Sequence, residues 1–259
     1  VNLTSGASAS AAEIAAIVAA STNPAADGTP SLAELTAVGV TGATGSQTAY
    51  EEAIADASPA PTTLAELQLI IDLNTVIDVA GQNGTIWMDR NLGATQQATS
   101  STDVAAYGDL YQWGRDKDGH QIRTSTTASG PVASGSQGTN FIIGSFNWSS
   151  TNDTTLWQAG KNDPCPTGYR IPTDTELDNE RLAFGTNDLD GAYGSALKLT
   201  ASGYRSETTG AIINPNTGGY YWSSTVSGNF SRSMVFNDSN NNMGDSNRAY
   251  GFSVRCIKE

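Results

Sequence analysis

Gly218-Gly-Tyr-Tyr-Trp-Ser-Ser-Thr225 and Gly251-Phe-Ser-Val-Arg-Cys-Ile257 frame the C-terminal part of the chain. Both are short runs of aromatic and β-branched residues and read as packed β-structure. Between them, residues 227–250 are dominated by Asn, Ser, Asp and aromatics. Amides and hydroxyls adapt their hydrogen bonds, while Tyr and Phe supply rigid contact area. A stiff frame around an adaptable polar insert points to recognition rather than to covalent chemistry.

Outward from this stretch, bulk composition narrows the classes. The chain has 259 residues, enough for one large domain or two small ones with a sizeable core. It carries 26 acidic against 13 basic residues, a formal net charge of −13, with no basic stripe of the kind nucleic acid requires. Apolar runs fall far short of the roughly 20 residues of a membrane span, so no membrane insertion is expected. Val1 in place of an initiator Met reads as a processed or excised chain, with the export route out of view. The two cysteines, Cys165 and Cys256, lack Cys-x-x-Cys spacing, and His120 is the one histidine, so a Cys/His zinc site cannot be assembled. They read either as buried free thiols or, preferably, as a structural disulfide, which places the chain in an oxidising compartment.

The pattern changes near residue 75. Ser10-Ala-Ala-Glu13-Ile, Ser31-Leu-Ala-Glu34-Leu and Thr63-Leu-Ala-Glu66-Leu are capping boxes that each open an amphipathic run. With a further helix expected over 46–57 and prolines 24, 30, 59 and 61 between the units, residues 1–75 read as a small helical bundle. A flexible Ala/Ser-rich linker is the alternative; the prolines argue against a coiled coil. Beyond it, Thr75-Val-Ile-Asp-Val79 and Thr85-Ile-Trp-Met88 alternate with period two around Asn83-Gly84, a type I′ hairpin signal. Thr173-Asp-Thr-Glu176 after Pro172 opens one convincing helix, and 124–140 and 202–219 read as long loops. The expected class is an α+β domain with much irregular structure over 76–259, preceded by the all-α module.

Five blocks then occur in order: Gly84-Thr-Ile-Trp-Met-Asp-Arg-Asn-Leu-Gly93, Tyr107-Gly-Asp-Leu-Tyr-Gln-Trp-Gly-Arg115, Cys165-Pro-Thr-Gly-Tyr-Arg-Ile-Pro-Thr-Asp-Thr-Glu-Leu177, Gly219-Tyr-Tyr-Trp-Ser-Ser-Thr225 and Gly251-Phe-Ser-Val-Arg-Cys-Ile257. On them, residues 76–258 resemble the Fibrobacter succinogenes major paralogous domain family, whose fold is similar to the C-type lectin fold. The resemblance implies that Cys165 pairs with Cys256, tying the start of a helix to the last strand. Residues 1–75, with Ala37-Val-Gly-Val-Thr-Gly42 and Leu64-Ala-Glu-Leu67, look like the Ala-rich helical repeats of large bacterial surface proteins. C-type-lectin-like domains with this ending also serve as variable proteins of diversity-generating retroelements, in which Asn codons diversify towards Tyr, Ser, Asp, Phe and Gly. Residues 227–250 hold mainly that set; an Asn/Ser-rich loop of an ordinary member has the same composition.

Other chemistry has plainer explanations. His120 in Lys117-Asp-Gly-His120 reads as a solvated turn residue rather than a general base. Lectin-fold relatives that generate formylglycine use reactive cysteines, whereas both cysteines here sit in structural blocks. Asp174 and Glu176 belong to a helix cap, and Asp188 and Asp190 to a turn-like stretch, 185–191. A structural calcium ion is a candidate cofactor, with Asp89, Asp109 and Asp163 as ligands. Asp238-Ser-Asn-Asn-Asn-Met-Gly244 superficially resembles an EF-hand loop, but its glycine falls one place late and its twelfth position is Ala249. The Glu-Pro-Asn, Gln-Pro-Asp and Trp-Asn-Asp motifs of sugar-binding C-type lectins do not occur.

Trp87, Trp113 and Trp222, framed by apolar or small residues, are expected in the core, and Arg170 and Arg255 in internal hydrogen bonds. The expected ligand-binding surface comprises Tyr220, Tyr221, Asn229, Phe230, Ser231, Arg232, Ser233, Asn237, Asp238, Asn240, Asn241, Asn242, Asp245, Asn247, Arg248 and Tyr250. The composite expectation is a secreted or surface-displayed binding protein, extracellular or on a bacterial surface or a phage virion. Its partner would be a protein or glycan on another cell, and catalysis is not expected. The rival expectations are a structural module that binds nothing, and a lectin-fold enzyme.

Overall fold

Asn83-Gly84 turns the chain where the sequence expects it. Both residues have positive φ, 56° and 78°, and the Thr85 N–H closes the turn on the Gln82 carbonyl at 3.1 Å. This left-handed pair is what Asn-Gly tolerates and most dipeptides do not. The turn joins antiparallel strands β1 (Asp78–Ala80) and β2 (Ile86–Met88). The computed structural model describes residues 77–166 and 168–259, with 12, 14–17, 54, 62 and 67 from the earlier part.

The chain divides into two units, Val1–Ile77 with Pro166–Gly168, and Asp78–Cys165 with Tyr169–Glu259. In the first, Ile14, Ile17, Ile54 and Leu67 are buried and lie in helical conformation. The rest of the expected bundle, its capping boxes included, falls outside the described residues.

The second unit is mixed α and β, with short strands in mainly antiparallel sheets. Strands β6 (Tyr169–Arg170) and β13 (Ile257–Lys258) complete a four-stranded sheet in the order β1-β2-β13-β6. A second sheet runs β3 (Tyr111–Gln112), β12 (Gly251–Phe252), β7 (Tyr204–Arg205) and β8 (Ile212–Ile213). Strands β4 (Thr127–Ser129) and β5 (Phe141–Ile143) pair in parallel. The largest ladder is a meander of β9 (Gly218–Ser227), β10 (Phe230–Asn237) and β11 (Asn241–Ser246). The stretches 124–140 and 202–219, expected as loops, thus contain strands of two or three residues. β7 and β8 pair with each other, and β4 and β7 also pair with segments outside these stretches, which a local pattern does not show.

Helix α1 (Asp174–Leu182) starts with the expected capping box. Thr173 accepts from the Glu176 amide at 3.3 Å, and the Glu176 carboxylate returns to the Thr173 amide at 2.8 Å. Arg170 holds the same carboxylate at 2.6 Å, and this pair with the capping amide brings its pKa down to about 2 against the cost of partial burial. A shorter helix, α2 (Leu189–Gly194), replaces the turn expected at 185–191, because Asp188 accepts from the Gly191 amide at 3.0 Å and acts as N-cap. Both helices lie on one face of the meander. Leu177, Leu189, Ala192, Tyr221, Met234, Phe236, Trp87 and Ile257 form the core between them. Gly219 is required there, since a Cβ would meet the Phe236 ring at 2.1 Å.

Irregular segments need partners for backbone groups that no ladder satisfies. Tryptophans and arginines provide them. The indole N–H of Trp113 donates to the Ser223 carbonyl (2.9 Å), that of Trp148 to Trp113 (2.7 Å), and that of Trp222 to Tyr111 (2.7 Å). Arg255, internally hydrogen-bonded as expected and also fully buried, donates to the Leu197 and Met88 carbonyls and doubly to Asn91 Oδ1; burial lowers its pKa to about 10. Cys165 and Cys256 form a disulfide that ties the segment before β6 to the residue that precedes the last strand. Among the described residues no helix is long and apolar enough to cross a membrane.

His120 is completely buried rather than solvated. Its Nε2 accepts from the Gln112 amide at 3.0 Å, and Nδ1 meets Asp118 Oδ1 at 2.6 Å. Burial dominates over the Asp118 hydrogen bond and lowers its pKa to about 4, so the ring is neutral with its proton on Nδ1.

Candidate binding face

Residues 227–250 are largely strand, not loop, and strand alternation sorts them into two faces. Directly opposed residues share a face. On one, Met234 opposes Tyr221 and Met243, and Phe236 opposes Gly219 and Asn241. The two helices cover this face. On the other, Val235 lies between Tyr220 and Asn242, with Gly244 next along β11. Asn242 is exposed, Val235 and Tyr220 are half-buried, and a Cβ on Gly244 would meet nothing within 4 Å. This second face is open around Tyr220, Val235 and Asn242, whereas Ser233 and Trp222 farther along it are buried.

It continues into a cluster of half-buried tyrosines. The Tyr220 ring lies 4.6 Å from that of Tyr204, and Tyr250 lies 5.3 Å from Tyr204 at a right angle. Phe252 supports Tyr220 at 5.3 Å and Tyr250 at 5.4 Å, and itself stacks on Trp222 at 4.4 Å. The Tyr250 pKa rises to about 12, through burial and through its hydroxyl's hydrogen bond to Glu207. Asn247 Nδ2 also donates to Glu207, at 3.4 Å, and Asn214 Nδ2 donates to the Tyr220 hydroxyl at 2.8 Å. Phe146, 74 % exposed, stands on a segment bonded through Gly144 to the Glu207 carbonyl and through its own carbonyl to the Ala249 amide.

The residues expected to bind therefore divide. Tyr220, Asn242, Asn247 and Tyr250 meet on the open face. Asp238 and Asn240 are exposed in the β10–β11 turn, and Asn237 closes that turn by accepting from the Ser239 and Asn240 amides. Asn229 and Phe230 are exposed at the β9–β10 tip, where Asn229 accepts from Asn152 at 2.7 Å. Arg232 is held between Asp174 (2.9 Å) and Asp245 (3.1 Å) beside helix α1. Five assignments are corrected by burial. Tyr221 is in the core, its hydroxyl bonded to Asn91 and Thr200. Ser231 and Ser233 are inaccessible, with Ser231 accepting from Arg248. Asn241 is buried with neither its carboxamide oxygen nor its nitrogen partnered. Arg248 lies over the Trp113 ring at 4.6 Å and donates to the carbonyls of Asp153, Gly228 and Phe230, so it braces the hairpin tip from inside.

Tyr204, Glu207, Asn214 and Phe146 escape the sequence reading. A Tyr and a Glu within a Gly/Ser/Thr-rich stretch are the faint signal for the first two, but only folding puts them beside Tyr220 and Tyr250.

The candidate calcium ligands do not converge. Asp89 forms a buried pair with Arg90 at 3.0 Å. Asp163 accepts from the Cys165 and Ile171 amides. Asp109 lies against Gly93, where burial raises its pKa to about 6 despite the nearby charges of Lys117 and Arg123. Among the described residues no three acidic, His or Cys side chains are grouped to hold a metal ion. No family model, curated protein or solved structure matches the chain.

Proposed function

We propose that the second unit is a C-type-lectin-like binding domain of the Fibrobacter succinogenes major paralogous type, displayed outside the cell, with the helical part as a spacer. It binds a protein or glycan partner non-covalently through the open face of β9–β11 and the adjoining tyrosines. The carrying observation is the company of Tyr204, Tyr220 and Tyr250. Three large rings share one solvent-facing cluster on a buried aromatic floor, with amide side chains around them. Rigid aromatic anchors with adaptable polar neighbours are the composition of recognition surfaces. The disulfide supports an oxidising location. The buried tryptophans, Arg248 and Arg255 supply a frame that does not depend on the exposed side chains.

This division of labour suits a diversified surface, in which exposed positions vary over a fixed frame. Sequencing the coding DNA of residues 219–257 with its flanks tests it. The expected finding is a near-identical second copy that differs opposite adenines, with changes at exposed positions such as Asn229, Asp238, Asn240 and Asn242. Tyr221, Trp222 and Arg248 should be unchanged. Absence of a second copy, or changes scattered over the buried positions, would count against diversification.

A further inference from the structure

We infer that this face, read as above as a binding surface, takes a cationic partner group: an arginine- or lysine-bearing segment of a protein. The argument starts from which hydrogen-bonding atoms the face leaves open. Asn247 Nδ2 is engaged by Glu207 at 3.4 Å, Asn214 Nδ2 by the Tyr220 hydroxyl at 2.8 Å, and Asn242 Nδ2 by Asn240 at 3.2 Å. Each amide thus has one N–H engaged within the chain, while its side-chain carbonyl oxygen accepts no hydrogen bond among the described residues. The Tyr250 hydroxyl donates to Glu207, so its oxygen too is left as an acceptor. Unpartnered acceptors beside the largely buried Glu207 carboxylate complement a donor-rich cation, and guanidinium carries five donors with no acceptor.

Charge agrees with this polarity. Glu207 adjoins the cluster, and Asp238 is exposed at the β10–β11 turn. The arginines of this region are already engaged: Arg205 on the Gly210 and Ser125 carbonyls, Arg248 on its own set, and Arg232 between Asp174 and Asp245. The chain as a whole is at −13, which steers basic partners towards it and repels acidic ones. The tyrosine faces add a cation–π contribution that an uncharged donor would not receive. A neutral saccharide could use the rings and amides but gains nothing from the carboxylate or the field.

The test uses the full chain with labelled tyrosines, observed by NMR during titration with acetyl-Gly-Arg-Gly-Arg-Gly-amide. Parallel titrations use its citrulline analogue, its glutamate analogue and a neutral glucose oligosaccharide. The arginine peptide should shift the Tyr204, Tyr220 and Tyr250 signals saturably. The citrulline peptide should bind about tenfold more weakly or worse, the loss expected when a charge-assisted contact becomes neutral. Glu207→Gln, which keeps an acceptor for the Tyr250 hydroxyl, should weaken the arginine peptide by about the same factor without changing thermal unfolding. Equal binding of arginine and citrulline peptides, or an unaffected Glu207→Gln, overturns the inference. So does a response of these rings to the saccharide alone, which would leave the binding reading itself intact. No response to any of the four probes also overturns it, and the binding reading then stands or falls on its own experiment.

Discussion

His120 makes the second unit acid-sensitive in a way that can be isolated. Its neutral ring accepts the Gln112 N–H at Nε2, so protonation there would set N–H against N–H at a fully buried ring. The folded-state pKa is held at about 4 against an ordinary 6.5. The unfolded chain therefore takes up the proton first. Stability is fully present above pH 6.5 and is lost as pH falls towards 4. At about 1.4 kcal/mol per pH unit the loss is about 3 kcal/mol. Asp109 works in the opposite direction over the same window. Burial raises it to about 6 from 3.8, so the folded state keeps a proton that the unfolded state has released, and stability falls as pH rises from 3.8 to 6. Its carboxyl is only part-buried, so its contribution is at most about 3 kcal/mol. The wild-type pH profile alone would therefore be flattened. The perturbation is His120→Gln, which retains an acceptor for Gln112 and does not titrate. The assay is urea unfolding at pH 4, 5, 6 and 7 with the disulfide intact. Tryptophan fluorescence is the readout, because all five tryptophans lie in the second unit. The stability of wild type relative to His120→Gln should fall by about 3 kcal/mol from pH 7 to pH 4. A difference that is constant over this range would refute the reasoning.

Other outcomes follow from burial and packing. Asn241→Leu should stabilise by about 1–2 kcal/mol, because it removes a buried carboxamide without partners from between Phe236 and Met243; an unchanged or lower urea midpoint would contradict this. The Cys165→Ser/Cys256→Ser variant should lose about 4–5 kcal/mol by loop-closure entropy over a separation of 91 residues, read in the same unfolding assay. Gly219→Ala should cost about 1–3 kcal/mol, since its Cβ would displace the Phe236 ring. Wild-type stability in that variant would show the ring to be free to move.

Local signals were readable in the sequence. Asn83-Gly84 and Thr173-Asp-Thr-Glu176 specify their turn and cap through atoms within four residues of one another, and the structure keeps both. Trp87, Trp113 and Trp222 were readable as core from their small and apolar neighbours. Residues 230–246 were not readable as strands, because Ser, Asn and Gly have low β-propensity and the ladder is imposed by pairing with β9. Exposure within that stretch depends on register, which composition does not carry. Asn241 and Asn242 are adjacent asparagines, yet one faces the core and the other the solvent. Arg248 has the sequence context of a contact residue and the tertiary context of a brace. His120 does sit in a polar turn, but other segments close over it. The tyrosine cluster joins residues 204, 220 and 250 through three different strands and loops, so no window of sequence contains it.

The central claim is that the open face of β9–β11, with its tyrosines, is a recognition surface. Binding of the full chain to arrays of extracellular proteins and glycans tests it most directly. Tyr220→Ser/Tyr250→Ser and Asn242→Ala/Asn247→Ala are compared with wild type, each first shown to keep the wild-type tryptophan unfolding transition. The expected result is that wild type binds at least one target and that both variants lose it. Binding retained by both folded variants, or no binding by the wild type to any target, would contradict the claim.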